Sequence, residues 1–403
     1  MGETGLPVEV VEKAMSSKSN PPSSIEDVKI VDAMSGPASC DCTPSFADGS
    51  QDLELFVEGD ELYATMLSAI ATAKRYIGLE SYIFADDEIG QRFAEALAER
   101  ANAGVSVRLH IDAAGSLFWT SRRLERYLRE HKVHVRWFHR WSWRKPLRYN
   151  RRNHRKLLVV DGVQAFLGGF NIHRQNSRSV FGERRWRDSH LRLGGNLAAQ
   201  AAELFQDFWF KRRLRRKNHI AEGASILLSN NSRNCRRQLR CAYNDMFTGA
   251  HRSIYLTTPY FVPDRGTQRA LVLAAKRHVD VRLLVPRKGD VRLVRWASRA
   301  AYSNLLGSGV RIYEYLPRVL HAKTAVVDGE YGTIGTANLD YRSFFVNHEL
   351  NVFTRDPVLC STLQAQFLND LNQAEEIQIA QWRRRPWTNQ LFEMVGWMAR
   401  RWL

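Results

Sequence analysis

Apolar residues recur along this chain of 403 residues in two alternating periods. After Asp60, which suits a helix N-cap, Leu62, Met66, Leu67, Ile70 and Ala73 fall at helical spacing, and Tyr76 to Phe84 then reads as a strand. A helix over about 88–102 stops at Gly104, Val105 to Ile111 alternates as a strand, and a helix over about 119–131 leads to the strand Val133–Phe138. Two short apolar strands, Lys156–Val160 and Ala165–Leu167, flank a turn at Asp161-Gly162, and a helix over about 196–210 closes this half. The order then returns: helix Cys241–Ala250, strand Ser253–Thr258, helix 266–277, strand Val279–Val285, helix 291–307, strand Val310–Tyr315. In this reading Pro259-Tyr260-Phe261 aligns with Ser81-Tyr82-Ile83.

Strands alternating with helices predict an α/β fold, each half a sheet covered by helices. Residues 1–50, rich in Ser, Pro and Gly, read as a flexible leader. Residues 51–218 and 219–378 read as a tandem pair of domains, and 379–403 as a basic amphipathic tail. The very basic run Lys211 to Lys217 marks the join between the halves and is either a lipid contact or a solvated loop.

The duplication is sharpest in one motif. Lys156, Asp161, Gly168 and Asn171 lie 2, 7, 14 and 17 positions after His154, and Lys323, Asp328, Gly335 and Asn338 lie at the same offsets from His321. A histidine and a lysine two residues apart on a strand share one face. Lysine can hold a phosphate oxygen, asparagine can donate from its amide, and histidine can act as nucleophile or proton carrier near neutral pH. Two such sets paired across a two-fold axis would form a cationic pocket suited to attack at phosphorus. One histidine would bond the phosphoryl group and the other would protonate the leaving oxygen.

Composition narrows the partners. With 59 Lys and Arg against 42 Asp and Glu, the net charge of +17 favours a polyanion, either nucleic acid or an anionic membrane face. Five cysteines, an odd number without metal-ligand spacing, fit a reducing compartment. The first thirty residues lack the apolar core of a signal peptide, and no run of about 18 apolar residues predicts a spanning helix.

The double His-x-Lys-x4-Asp motif with its following Gly and Asn resembles that of the phospholipase D superfamily. The chain is most similar to the shorter bacterial cardiolipin synthases without amino-terminal membrane spans, from about residue 50 to about 375. The stretches that carry this are Leu79 to Phe84, Asn153 to Lys156, Gly168 to Ile172, Leu320 to Lys323 and Gly335 to Asp340. The resemblance implies two phospholipase D-like domains, each a mixed sheet flanked by helices, related by pseudo-two-fold symmetry with the active site at their interface. His154, Lys156, Asp161, His321, Lys323 and Asp328 form the implied catalytic set. Within it His154 is the nucleophile, because the family more often uses its first motif so, and His321 is the acid and base. Asp161 and Asp328 are read as turn residues that support the hairpins. Asn171, Asn338 and the two lysines would bind phosphate oxygens, and Asp188 and Glu349 would orient the histidine of the opposite half. Thr336 has Gly169 as its counterpart, which breaks the symmetry. Lysines and asparagines supply the charge stabilisation, so no metal or other cofactor is expected.

Features outside the motif separate lipid from nucleic acid. Trp137 to Lys145 interleaves aromatics with cations, a composition that fits the lipid headgroup layer or stacking on single-stranded bases. Leu391, Val395, Met398 and Trp402 form an apolar stripe with Phe392 beside it, flanked by Arg383-Arg384-Arg385 and Arg400-Arg401. Such a helix either lies in a membrane interface or docks on the protein's own core. The expected function is cardiolipin synthesis from two phosphatidylglycerol molecules, with hydrolysis by a phospholipase D or phosphodiesterase as the alternative, and a nuclease or nucleic-acid-binding role behind it. The expected partner is anionic phospholipid, phosphatidylglycerol, at a membrane surface, with no obligatory nucleic acid. The expected place is peripheral, on the cytoplasmic face of the bacterial inner membrane.

Overall fold

The strand Leu157–Val160 is buried at every position, which calls for a place inside a sheet covered on both faces. The computed structural model describes residues 52–144, 149–211, 224–289 and 291–400 and places this strand in such a sheet. The leader, the join at 212–217, Lys145, Arg401 and Trp402 lie outside the described residues.

The first sheet contains β1 (Leu53–Phe56), β2 (Tyr76–Ser81), β3 (Ser106–Asp112), β4 (His134–Phe138), β5 (Leu157–Val160), β6 (Gln164–Gly168) and β7 (His190–Leu193). Their spatial order is β1-β7-β6-β5-β2-β3-β4, with β2, β3 and β4 parallel and the remaining pairs antiparallel. Its helices include Gly59–Ala71, Glu88–Asn102, Arg122–Glu130 and Gly195–Trp209. The second half supplies β8 (Ser225–Ser229), β9 (Ser253–Thr257), β10 (Phe261–Val262), β11 (Asp280–Pro286), β12 (Arg311–Tyr315), β13 (Thr324–Val327), β14 (Tyr331–Gly335), β15 (Leu339–Asp340), β16 (Leu350–Thr354) and β17 (Ala374–Glu376). The order β12-β11-β9-β13-β14-β16-β8 mirrors the first sheet strand for strand, with β17 added at the edge and β10 paired to β15 apart. Both halves are therefore mixed sheets flanked by helices.

The two sheets share an inner core. Leu157, Val159, Leu167 and Leu191 of the first pack with Val326, Ile334, Leu350 and Val352 of the second, between helices Gly195–Trp209 and Pro357–Leu371. Separate outer cores lie under the remaining helices of each half. Burying each such aliphatic side chain stabilises the fold by about 1.5–3 kcal/mol. The shared core fixes the halves against each other, and the described residues belong to one compact unit.

Two sequence expectations change. The helix expected at Cys241 begins at Arg233, because the Ser232 hydroxyl accepts from Cys235 N and caps it. The alignment of Pro259 with Ser81 is off by one. Ser81 Oγ donates to Ile83 O and Thr258 Oγ1 to Tyr260 O, while Phe84 N donates to Ser116 Oγ and Phe261 N to Ser298 Oγ. These matched bonds make Thr258 the counterpart of Ser81 and Pro259 the counterpart of Tyr82.

Candidate active site

Each motif histidine stands just before a hairpin strand, and the opposite half holds its backbone. His154 N donates to His348 O at 3.0 Å and His348 N to Arg152 O at 2.8 Å; in the mirror position His321 N donates to Arg187 O at 2.7 Å and Arg187 N to Val319 O at 2.8 Å. The same crossing brings each carboxylate to the other half's histidine. His154 Nδ1 lies 2.9 Å from Glu349 Oε2, and His321 Nδ1 lies 2.6 Å from Asp188 Oδ2. A carboxylate at Nδ1 selects the tautomer with its proton there, leaving Nε2 with a lone pair for attack or proton transfer.

The structure thus gathers His154, Lys156, Asp188, His321, Lys323 and Glu349 from both halves, all of them buried. Lys156 Nζ donates to His154 O at 2.8 Å, and Lys323 Nζ donates to His321 O and lies 2.9 Å from His321 Nδ1. Asn171 Oδ1 accepts from Ile83 N at 3.0 Å, which reserves its NH2 group as a donor. Asn338 Oδ1 is buried and has no partner among the described residues. Asp161 and Asp328 stand elsewhere. Asp161 accepts from Lys74, Arg75 and Tyr76 N, and Asp328 from His251, Arg252 and Ser253 N, so each pins the start of a strand at the opposite end from the histidines.

Burial of so many charges sets their protonation. Desolvation, with a smaller contribution from Lys323, pushes Lys156 down to about 7. Desolvation also holds His154 below its ordinary value against the pull of Glu349, and together with Lys323 lowers His321 to about 4. Burial alone would raise Asp188, but Lys323 and His321 outweigh it and keep the carboxylate ionised. The pocket therefore presents neutral imidazoles, the form a nucleophile requires.

The pocket also contains residues that the motif does not announce. The Tyr82 ring meets His154 edge-on at 5.0 Å and lies 5.2 Å from Lys156 Nζ, whereas its counterpart is Pro259. Trp186 packs 5.2 Å from His321. Arg155, between the motif's own His and Lys, is fully buried and makes a two-pronged contact with Glu80 at 2.6 Å per bond. Thr336 donates to Glu349 Oε2 at 2.6 Å, while a Cβ at Gly169 would come within 1.9 Å of Asp188 Oδ1. Glu80 and Tyr82 sit in a stretch already conspicuous in the sequence; nothing in the sequence marked Trp186 as a neighbour of His321.

The cardiolipin synthase, PLD-like domain family matches residues 66–209 and 243–371. The chain is 34% identical over 366 residues to the cardiolipin synthase of Geobacillus sp. (strain WCH70), covering 86% of this chain and 71% of that protein. It is 32% identical over 343 residues to a probable cardiolipin synthase of Bacillus subtilis (strain 168), covering 81% and 67%. Among solved structures, the phosphatidylserine synthase of Haemophilus influenzae Rd KW20 superposes with a TM-score of 0.67 at 14% identity, covering 90% of this chain and 97% of that one. The polyphosphate kinase of Porphyromonas gingivalis does so with a TM-score of 0.58 at 14% identity, covering 81% and 49%. These two likenesses concern the fold alone.

Proposed function

This chain belongs to the cardiolipin synthase family with phospholipase D-like domains, and we propose that it transfers a phosphatidyl group between two phosphatidylglycerol molecules. The observation that carries the reading is the reciprocal crossing of the halves, which gives two histidines at one cationic pocket, each with a carboxylate at Nδ1.

His154 Nε2 attacks phosphorus, the bond from phosphorus to the glycerol oxygen breaks, and His321 gives that oxygen a proton. A hydroxyl of the second phosphatidylglycerol then loses its proton to His321 and attacks the phosphatidyl-histidine. The phosphorus–nitrogen bond breaks, His154 is regenerated, and the products are cardiolipin and glycerol. Lys156, Lys323, Asn171 and Asn338 hold the phosphate oxygens, and the phosphodiester's negative charge raises His321 from its low resting value so that it can carry the proton. Burial limits water at the intermediate.

Contact with a membrane is supported by the last helix, Trp387–Ala399, which is inverted relative to a core helix. Its buried residues are Glu393 and Gly396, while Trp387, Leu391, Met394, Val395 and Met398 are exposed. Glu393 is held by Arg385 and Arg299, so it faces the protein with Gly396 and Trp397, while the larger part of the apolar face points out. Among the described residues no helix is long and apolar enough to cross a membrane. Free thiols at Cys235, Cys241 and Cys360 fit a reducing compartment, and we place the protein at the cytoplasmic face of the inner membrane.

The test is purified protein with phosphatidylglycerol vesicles. Cardiolipin and an equal amount of glycerol are expected; phosphatidic acid as the sole lipid product would make the protein a hydrolase.

A further inference from the structure

The pseudo-symmetry pairs two surfaces that are far apart in sequence. In the first half, the turn after β3 is anchored by Ser116, whose hydroxyl accepts from Phe84 N and donates to Tyr82 O at 2.9 Å, beside the ring that touches His154. The residues that follow, Leu117 and Phe118, are 57% and 93% exposed. Ser298 takes the place of Ser116 in the second half and lies on the helix Arg292–Gly307. Directly over this helix sits the inverted last helix: a Cβ at Gly396 would come within 2.5 Å of Ala297 N, and Phe392 stacks on Trp296 at 4.7 Å. An exposed apolar patch thus stands at the same relative place on each half.

A second loop joins the first patch. Asp112 accepts from Ala114 and Gly115 N at the base of the Leu117–Phe118 turn, and from Asn153 N and Arg152 at the base of the segment that follows β4. That segment exposes Trp141 (65%) and Trp143 (77%) beside Arg140 and Arg144. Neither 113–124 nor 139–156 contains an Asp or Glu, and the only acid in 377–403 is the inward-facing Glu393. The patches are apolar tips in segments where arginines outnumber acids, which matches an anionic bilayer in both its layers.

We infer that the turn Leu117–Phe118 with Trp141 and Trp143, together with the outer face of the helix Trp387–Ala399, forms one two-sided rim that seats the pocket on an anionic membrane. Ser116 and Ser298 are the matched points, so the turn that follows one and the helix packed over the other stand on the same side of the molecule, where one surface can touch both. The membrane is that surface. This rests on the phosphatidyl-transfer reading, which supplies the lipid.

Binding, rather than product, is the readout, so the two can fail separately. The full chain is sedimented with phosphatidylglycerol or phosphatidylcholine vesicles, as wild type and as Phe118→Asp, Met394→Asp, Phe118→Trp and Val163→Asp. Val163, 59% exposed, is the control, since it lies beside Asp161 at the opposite end of β2. Phe118→Asp and Met394→Asp are each expected to weaken partition onto phosphatidylglycerol vesicles about tenfold, with Phe118→Trp and Val163→Asp close to wild type. Wild-type binding by Phe118→Asp would overturn the two-sided rim, as would equal loss in Val163→Asp. So would Phe118→Asp and Met394→Asp losing binding to a single-stranded oligonucleotide while retaining it to vesicles.

Discussion

The halves present the same histidine, lysine and carboxylate, yet they support them by different means. In the first, Arg155 follows the histidine and is buried against Glu80; in the second, the corresponding positions are Ala322 and Thr257, and no charge is buried there. Arg187 of the first half is clamped by Asp370 through bonds of 3.0 and 2.7 Å, whereas its counterpart His348 meets the ring of Phe208 at 5.0 Å, each partner next to last in its helix. Around the carboxylates the contrast reverses: Glu349 receives a hydroxyl from Thr336, while Asp188 accepts from Ser189 N and fits into the space that Gly169 leaves. The inner ring of groups matches between the halves, while the scaffold behind it differs wherever packing and polar pairing stay complete.

The largest effect probes the roles of the histidines. His154→Ala and His321→Ala should each lower kcat by about a thousandfold or more. A phosphodiester with a good leaving group, such as p-nitrophenol, should restore its release by His321→Ala and not by His154→Ala; the opposite pattern would exchange their roles. Next comes the contrast at the carboxylates. Gly169→Thr should drive Asp188 off His321 and cost kcat about 10²-fold, the loss typical of removing such a support, while Thr336→Gly removes two hydrogen bonds, only one of them to Glu349, and costs about tenfold or less. Equal effects in steady-state kinetics would show that the carboxylates are interchangeable.

Stability tests the scaffold. Arg155→Ala leaves Glu80 buried without its partner and should destabilise the protein by about 3–5 kcal/mol in denaturant unfolding. Adding Glu80→Thr, which copies the second half, should recover much of that loss. Acid should act on the buried histidines. Burial lowers His173 and His190 to about 3 and His321 to about 4, so the unfolded chain binds more protons than the native one below the ordinary histidine value near 6.5. Melting temperature should therefore fall as pH drops from about 6.5 towards those values, and His173→Phe should flatten part of that slope. The smallest effect belongs to Asp161→Ala and Asp328→Ala, each expected to cost about 1–2 kcal/mol of stability through lost backbone bonds, with kcat nearly unchanged.

Most strands and helices of the outer layers were legible because their apolar spacing is regular, as in Glu88–Asn102, which begins and ends where the pattern does. Apolar spacing does not predict β7, β8 and β16 as strands, nor Pro357–Leu371 as a helix. These elements serve the inner core and bury residues on more than one side, as in β8 and β16, which are buried throughout, so periodicity is weak where both faces are covered. Of the pocket, the histidines and lysines could be named from the repeat, and the carboxylates from the family resemblance. Tyr82, Trp186 and the fit of Gly169 to Asp188 could not, because a contact between residues far apart in the chain has no signature in local spacing.

The backbone bonds that cross between the halves carry one more consequence. A fragment with a single motif would have a histidine but no carboxylate at its Nδ1, and could complete its pocket only by meeting another fragment, at a rate and occupancy set by concentration. Joining both motifs in one chain turns that encounter into an intramolecular one with an effective concentration of about millimolar or above. Dilution therefore leaves the pocket intact, since one chain holds both histidines with their carboxylates.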